Sequence, residues 1–194
     1  MTRIALALIA ALVCLAPPAQ AAPERYEIDP DHLSVGFLVD HIGYAAVLGM
    51  FLEGEGSFTY DEETQTLSDL KVEIEADSVF TNHKKRDRHL RGGDFLDADE
   101  HEEILFVGTG SEPSGPNSGK VFGDLTILGQ TRPVTLDVTL NKSAKYEIGD
   151  DDHVLGISAR TIIKRSDFGM TYGVENGWVG DEVEVIIELE ARRD

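Results

Sequence analysis

The densest chemistry in this chain lies between Thr81 and Phe95. Five cations, Lys84, Lys85, Arg86, Arg88 and Arg91, fall within eight residues that hold only Asp87 against them, in a chain of 17 basic and 36 acidic residues. Such a knot either is a solvated helical turn or supplies donors to a buried or anionic group. On a helix His83 and Asp87 stand at i and i+4, with Arg86 over Leu90 on another face. Arg86 and His89 could then point inward, toward an anionic head or an inner carboxylate. In the alternative reading, Arg86 and Asp87 pin the helix to neighbouring backbone while the other cations are simply wet, contributing little to stability.

The remaining chemistry-bearing residues are scattered. His32 and His41 bracket an apolar alternating segment nine residues apart, and opposite parity on a regular strand points them to different faces. No third ligand stands at recognisable spacing, so no metal site is expected. The acidic run Asp97 to Glu103 lacks the glycine-centred spacing of a calcium loop and reads as a solvated connection. No Gly-x-Ser-x-Gly elbow, phosphate loop or dinucleotide fingerprint is present. Nothing in the spacing brings a nucleophile to a base, and neither an enzyme nor a cofactor is expected.

The elements that must carry these groups are strands. Leu33, Val35, Phe37 and Val39 alternate with smaller or polar neighbours. The same pattern recurs at Leu70, Val72, Ile74 and Ala76, at Val134, Leu136, Val138 and Leu140, and at Val183, Val185, Ile187 and Leu189. Weaker strands run over 54–60, 104–109, 120–128 and 156–165, which makes eight half-buried antiparallel strands with turn residues between them. Two stretches break the pattern: 42–50 and 82–91 could each form a short helix, the second with Asn82 as its N-cap. Strands with one clean apolar face either close into a barrel or pair as a sandwich. Closure is favoured because the last strand has a long apolar face and no proline to protect an open edge. Gly54, Gly56, Gly108 and Gly123 fall at inward positions, where they either leave room along an inner wall or relieve bending at corners.

The ends and totals bound the rest. Arg3, the apolar run Ile4 to Leu15 and the small-x-small site Ala19-Gln20-Ala21 read as a secretory leader, with the mature domain at residues 22–194. The apolar run is too short for a transmembrane anchor. Cys14, the only cysteine, lies in that leader, so disulfides and thiolate sites are excluded from the mature domain. Cleavage removes Arg3 and no acid, taking the formal charge from −19 to −20, which disfavours nucleic acid or an anionic membrane as a surface-wide partner.

The order and spacing of several motifs now point to a family. They are Tyr26-x-Ile28-Asp29-Pro30-x-His32-x-Ser34-Val35-x-Phe37-x-Val39-x-His41, Gly49-x-Phe51, Asp77-Ser78-Val79-x-Thr81-Asn82 and Arg86-Asp87-x-His89-Leu90-Arg91. Asp94-Phe95, Gly123-Asp124-Leu125-Thr126-Ile127-x-Gly129, Thr131-Arg132-Pro133-Val134, Arg165-Ser166-Asp167-Phe168-Gly169-Met170 and Gly180-Asp181-Glu182-Val183 follow. Over nearly all of its mature length the chain resembles the YceI-like polyisoprenoid-binding proteins of the bacterial periplasm. Leu128 stands where members often have His, and Glu102 where they often have Pro.

The resemblance implies an all-β fold, an eight-stranded antiparallel lipocalin-like β-barrel with one or two short helices. Its channel would hold an isoprenoid or other long-chain lipid, and the protein would be periplasmic, without stable membrane insertion, with a homodimer left open. Inward parity or family position nominates Phe37, Val39, Phe51, Phe58, Ile74, Phe106, Leu125, Ile127 and Ile163 as lining. Phe168 is a candidate to cap the channel, and His32, His41, Asn82, Arg86 and His89 are candidates at its polar end.

Overall fold

The computed structural model describes residues 22–148 and 152–194. The leader expected over residues 1–21 lies outside the described residues, as does 149–151 in one connection. Three of the barrel's eight staves are interrupted strands. The first is β1 (Glu24–Ile28) and β2 (Ser34–His41), broken by a 3-10 turn at Pro30–His32; the second is β3 (Ala45–Phe51) and β4 (Gly54–Asp61). The third is β5 (Thr66–Glu75) and β6 (Val79–Phe80), broken by a 3-10 turn at Ala76–Ser78. Five continuous strands follow: β7 (Glu103–Gly115), β8 (Ser118–Ile127), β9 (Gln130–Lys145), β10 (His153–Lys164) and β11 (Val179–Arg193).

Each stave pairs antiparallel with the next in sequence, and β11 closes the ring on the first. Its C-terminal part pairs with β1 (Ile28 opposite Ala191) and its N-terminal part with β2 (Phe37 opposite Val185). This is the eight-stranded up-and-down barrel that the alternation called for, and closure leaves the apolar face of β11 no open edge. Side-chain alternation sets what faces in. Val134, Leu136, Val138 and Leu140 of β9 line the interior, as do Val183, Val185, Ile187 and Leu189 of β11. Around the β1 end the interior is solid: Tyr26, Ile28, Phe58, Leu155 and Ala191 form a buried cluster, with Tyr26 stacked on Phe58 at 5.5 Å.

Two expectations are corrected. Residues 42–50 are no helix: a turn at Ile42-Gly43 leads into β3. Both turn residues have positive φ (56° and 70°), and Tyr44 N donates to His41 O at 3.1 Å. That backbone matches the right-handed twist of a hairpin, and it needs glycine or asparagine in at least one place, here met by Gly43. The single helix, α1, spans Lys84–Arg91, and its N-cap is His83, not Asn82. Asn82 takes φ +58°, which asparagine tolerates, whereas a cap needs the extended backbone that His83 has. The His83 ring accepts from Arg86 N at 3.2 Å.

Topology assigns the connections to two ends. The 42–44 turn, α1 with the segment to Glu103, the 128–129 turn and the 165–178 connection lie at one end. The 62–65 and 116–117 turns, the β9–β10 connection and the start of β1 lie at the other.

Candidate functional site

The barrel encloses a cavity of about 750 Å³, walled almost entirely by aliphatic and aromatic side chains of the staves. That volume is in the range of sites that bury a whole small amphiphile. Phe37, Val39, Phe51, Phe58, Ile74, Phe106, Leu125, Ile127, Ile163 and Phe168 all line it, as do His41, Arg86 and His89 at the α1 end. His32 and Asn82 do not.

Phe168 is 2 % exposed and packs with Ile127 and Ile163, closing the wall below the 165–178 connection. The same parity that nominated these residues would also have found Val35, Leu70, Val72 and Val185. Lys85, Tyr172 and Trp178, also at the cavity wall, come from α1 and a connection, where no strand period reaches them.

The inward glycines have a specific use. A Cβ on Gly49 would lie 2.2–2.8 Å from three atoms of the Phe37 ring, and one on Gly123 would lie 2.2 Å from Phe106 Cζ. Gly49 is directly opposite Phe37 in the ladder. The rings therefore lie down in sockets that the glycines leave, and the lumen stays wide where a standing Phe would fill it. Gly54 and Gly108 are filled in the same way by Ile74 and Leu70. The room these glycines make is taken by neighbouring side chains and reaches the lumen indirectly.

At the α1 end the basic knot divides. Arg86 Nε donates to Thr81 Oγ1 at 2.7 Å and its Nη2 to Thr81 O at 2.8 Å. Asp87 Oδ1 accepts from Thr81 N and Thr81 Oγ1. Arg91 donates to Asp77 O, and to Val79 O at 2.9 Å. These three residues tie the helix to β6 and to the chain on either side of it. Burial works against a charge on Asp87, but the Thr81 hydrogen bonds outweigh it and hold the carboxyl below its usual range. Lys84, Lys85 and Arg88 are exposed and have no acidic partner among the described residues. His89 hydrogen-bonds Asp94 at 2.9 Å and stands edge-on to Phe95 and Tyr172, each 5.0 Å away.

Arg165 holds the connection over the cavity. It is 3 % exposed and donates to Gly180 O (2.7 Å), Met170 O (2.7 Å), Tyr172 O (2.8 Å) and Val179 O (2.9 Å). Burial pulls its guanidinium below the ordinary arginine value, opposed by Asp181. Four carbonyls on one fork fix where Tyr172 and Trp178 stand.

His32 sits outside the barrel, in the 3-10 turn of the first stave. Its Nδ1 is 2.9 Å from Asp29 Oδ2 and 3.9 Å from Glu190 Oε2, and Arg192 Nε also donates to Asp29 Oδ2 at 3.0 Å. The Asp29 hydrogen bond raises the His32 pKa. Burial opposes the charge on Asp29, but the hydrogen bonds from His32 and Arg192 hold its carboxyl low. With Arg192 on the shared oxygen, the cluster is built as a charge-paired clasp between the first and last staves.

At the far end, Ser143, His153 and Glu62 also meet. Ser143 Oγ is 2.8 Å from His153 Nε2, Glu62 Oε1 is 3.1 Å from the same nitrogen, and Ser143 donates to Glu62 Oε2 at 2.9 Å. A relay needs base and orienter on opposite ring nitrogens. Here hydroxyl and carboxylate compete for one.

A closed eight-stranded antiparallel barrel around an apolar lumen is of lipocalin-like form. The model of the YceI-like domain matches residues 26–191, and the chain belongs to the YceI-like family. It is 33% identical over 172 residues to a UPF0312 protein of Pseudomonas putida (strain W619), covering 88% of each chain. Among solved structures it resembles BcnA of Burkholderia cenocepacia, with a TM-score of 0.75 and 23% identity, over 84% of this chain and 98% of that one. It also resembles a polyisoprenoid binding domain from Saccharophagus degradans implicated in plant cell wall breakdown, with a TM-score of 0.61 and 13% identity, over 87% and 98% of the two chains. Below 25% identity these structures speak for the fold alone.

Proposed function

We propose that this protein is a non-catalytic carrier that sequesters an isoprenoid or similar long-chain lipid in its barrel, working in the periplasm after removal of residues 1–21. The observation that carries the reading is the apolar lumen, whose width is preserved by rings laid into glycine sockets. Its lining favours chain over head. Burial contributes about 0.8 kcal/mol per methylene, whereas one hydrogen bond to a charged group contributes about 1.5–3 kcal/mol. Several isoprene units therefore outweigh any single contact at Arg86 or His89, and the head sets orientation. The polyisoprenoid binding named for the Saccharophagus degradans domain is a property of that protein, and for this chain it adds only that a barrel of this fold can hold such a lipid.

The experiment is mass spectrometry of lipid released by denaturing the protein purified from its native host. A stoichiometric apolar chain is expected. Purified protein free of such a chain, which also fails to take up a polyprenyl or quinone lipid when offered, would contradict the carrier reading and favour an acidic stress or interaction protein whose barrel carries no lipid.

A further inference from the structure

One stretch of the barrel wall is incomplete. β6 pairs with β3 only at Met50 and Phe51, so among the described residues the outer edge of β3 from Ala45 to Gly49 has no strand partner. The helix α1 follows β6 directly and stands beside this gap: Val47 on β3 and Lys85 and Arg86 on α1 all face the lumen. Half of the large apolar side chains exposed among the described residues belong to the elements around it. Ile42 (48%), Tyr44 (90%), Leu48 (65%), Phe80 (40%) and Trp178 (53%) belong to the 42–44 turn, β3, β6 and the residue before β11. The registers make these neighbours: Phe80 is opposite Met50, and Val179 is opposite His41. Contiguous apolar exposure of this kind marks an interaction face.

Charge identifies the occupant. Lys84 and Arg88 point to solvent beside this face and Lys85 is exposed at the cavity mouth; none of the three has an acidic partner among the described residues, in a chain whose formal charge is −19. The acidic run after the helix lies on the other side, with His101 against the 128–129 turn at Gly129. Tyrosine and tryptophan with an apolar rim and flanking lysine and arginine match the boundary between lipid headgroups and acyl chains. We propose that this face docks on the surface of an anionic bilayer and sets the gap between β3 and α1 against the lipid as the route into the lumen. The assignment rests on the carrier reading. Asp40 brings a carboxylate to the rim, where it accepts from Gly43 N at 3.0 Å, and the acidic remainder of the molecule is repelled by the same surface, which restricts docking to this end.

The test is flotation of the purified protein with phosphatidylcholine vesicles, with and without phosphatidylglycerol. Trp178 is the only tryptophan, so its emission reports on the face directly. The protein is expected to float with phosphatidylglycerol vesicles at low salt, to shift its emission to the blue, and to be released in about 0.5 M salt, where the screening length falls to a few ångströms. K84Q/R88Q should weaken partitioning roughly 30-fold at unchanged thermal stability and lipid content, because neither side chain lines the lumen. Y44S should weaken it independently of salt.

A protein that carries lipid but neither floats nor changes its Trp178 emission overturns this inference and leaves the carrier reading standing. A protein that docks but never carries or takes up a chain overturns the carrier reading and the gap as a lipid route, and leaves the docking face standing. K84Q/R88Q that floats like the parent, or stable association with a protein in place of vesicles, also overturns it.

Discussion

The glycine sockets offer the most direct perturbation of the lumen. In Gly49→Ala the new Cβ would overlap the Phe37 ring, with all three nearest atoms belonging to that ring at 2.2–2.8 Å and none to backbone. The ring must leave its socket, and the only free volume beside it is the lumen. Two costs follow. Overpacking lowers stability by about 1–3 kcal/mol, which for a domain of this size lowers Tm by roughly 2–12 °C. A ring standing in the channel also excludes cargo equivalent to two or three methylenes, about 2 kcal/mol, or roughly 30-fold in affinity. Phe37→Ala in the same chain removes the obstructing ring, so the double variant should recover most of the affinity although each single change disturbs the wall. The assay is titration with a fluorescent long-chain polyene lipid, alongside thermal unfolding. Gly49→Ala that binds like the parent, or a double variant that binds no better than Gly49→Ala alone, would refute the socket argument.

Arg165→Met leaves four part-buried carbonyl acceptors without their donor and, at about 1 kcal/mol for each, should lower stability by about 3–5 kcal/mol. Calorimetry should show a Tm drop of roughly 6–20 °C, and hydrogen exchange should quicken in the 165–178 connection first. Asp87, 6 % exposed and held low by Thr81, has a depressed folded pKa. Its contribution is therefore fully present above the unfolded value of about 3.9 and is lost as pH falls through the folded value. Denaturant midpoints between pH 7 and pH 3 should fall more steeply for the parent than for Asp87→Asn; equal slopes would sink that assignment. Ile42 holds a β-branched side chain at φ +56°, at a cost of about 1–2 kcal/mol. Ile42→Asn should raise Tm by a few degrees while weakening vesicle flotation, and a variant gaining stability with undiminished flotation would remove Ile42 from the docking face.

The barrel was legible because its interior is a period-two signal repeated around the ring, and one stave cannot slip by a residue without turning its apolar side chains outward. Where the signal was short or mixed, reading failed. β1 carries only Tyr26 and Ile28 inward among charged neighbours, so its five residues offer no sustained alternation. β3 is written Ala-Ala-Val-Leu-Gly-Met-Phe, with helix formers at its start, and its true marker is the turn before it. That turn puts isoleucine at a left-handed position that sequence preference assigns to glycine or asparagine. The missed strands complete staves whose other halves were read correctly, which is why the strand number survived the error.

The site divides along the same line. Lumen residues on strands follow from parity, whereas the α1 end is assembled by contacts that spacing does not encode. Lys84, Arg86, Arg88 and Arg91 look alike as a run of cations, yet Arg86 and Arg91 are consumed by carbonyls of Asp77, Val79 and Thr81, groups every residue possesses. Only the path of the chain between the 3-10 turn at Ala76–Ser78 and the cap at His83 decides which cations meet those carbonyls. The same path ends β6 after two residues and leaves β3 unpaired beyond it. A single local event, the early departure of the third stave, therefore ties down half of the basic knot, frees the other half, and opens the wall next to it. Lengthening β6 to pair with Gly49 and Val47 would close that wall and carry the helix away from the gap, so the apolar rim and the free cations have a common structural origin.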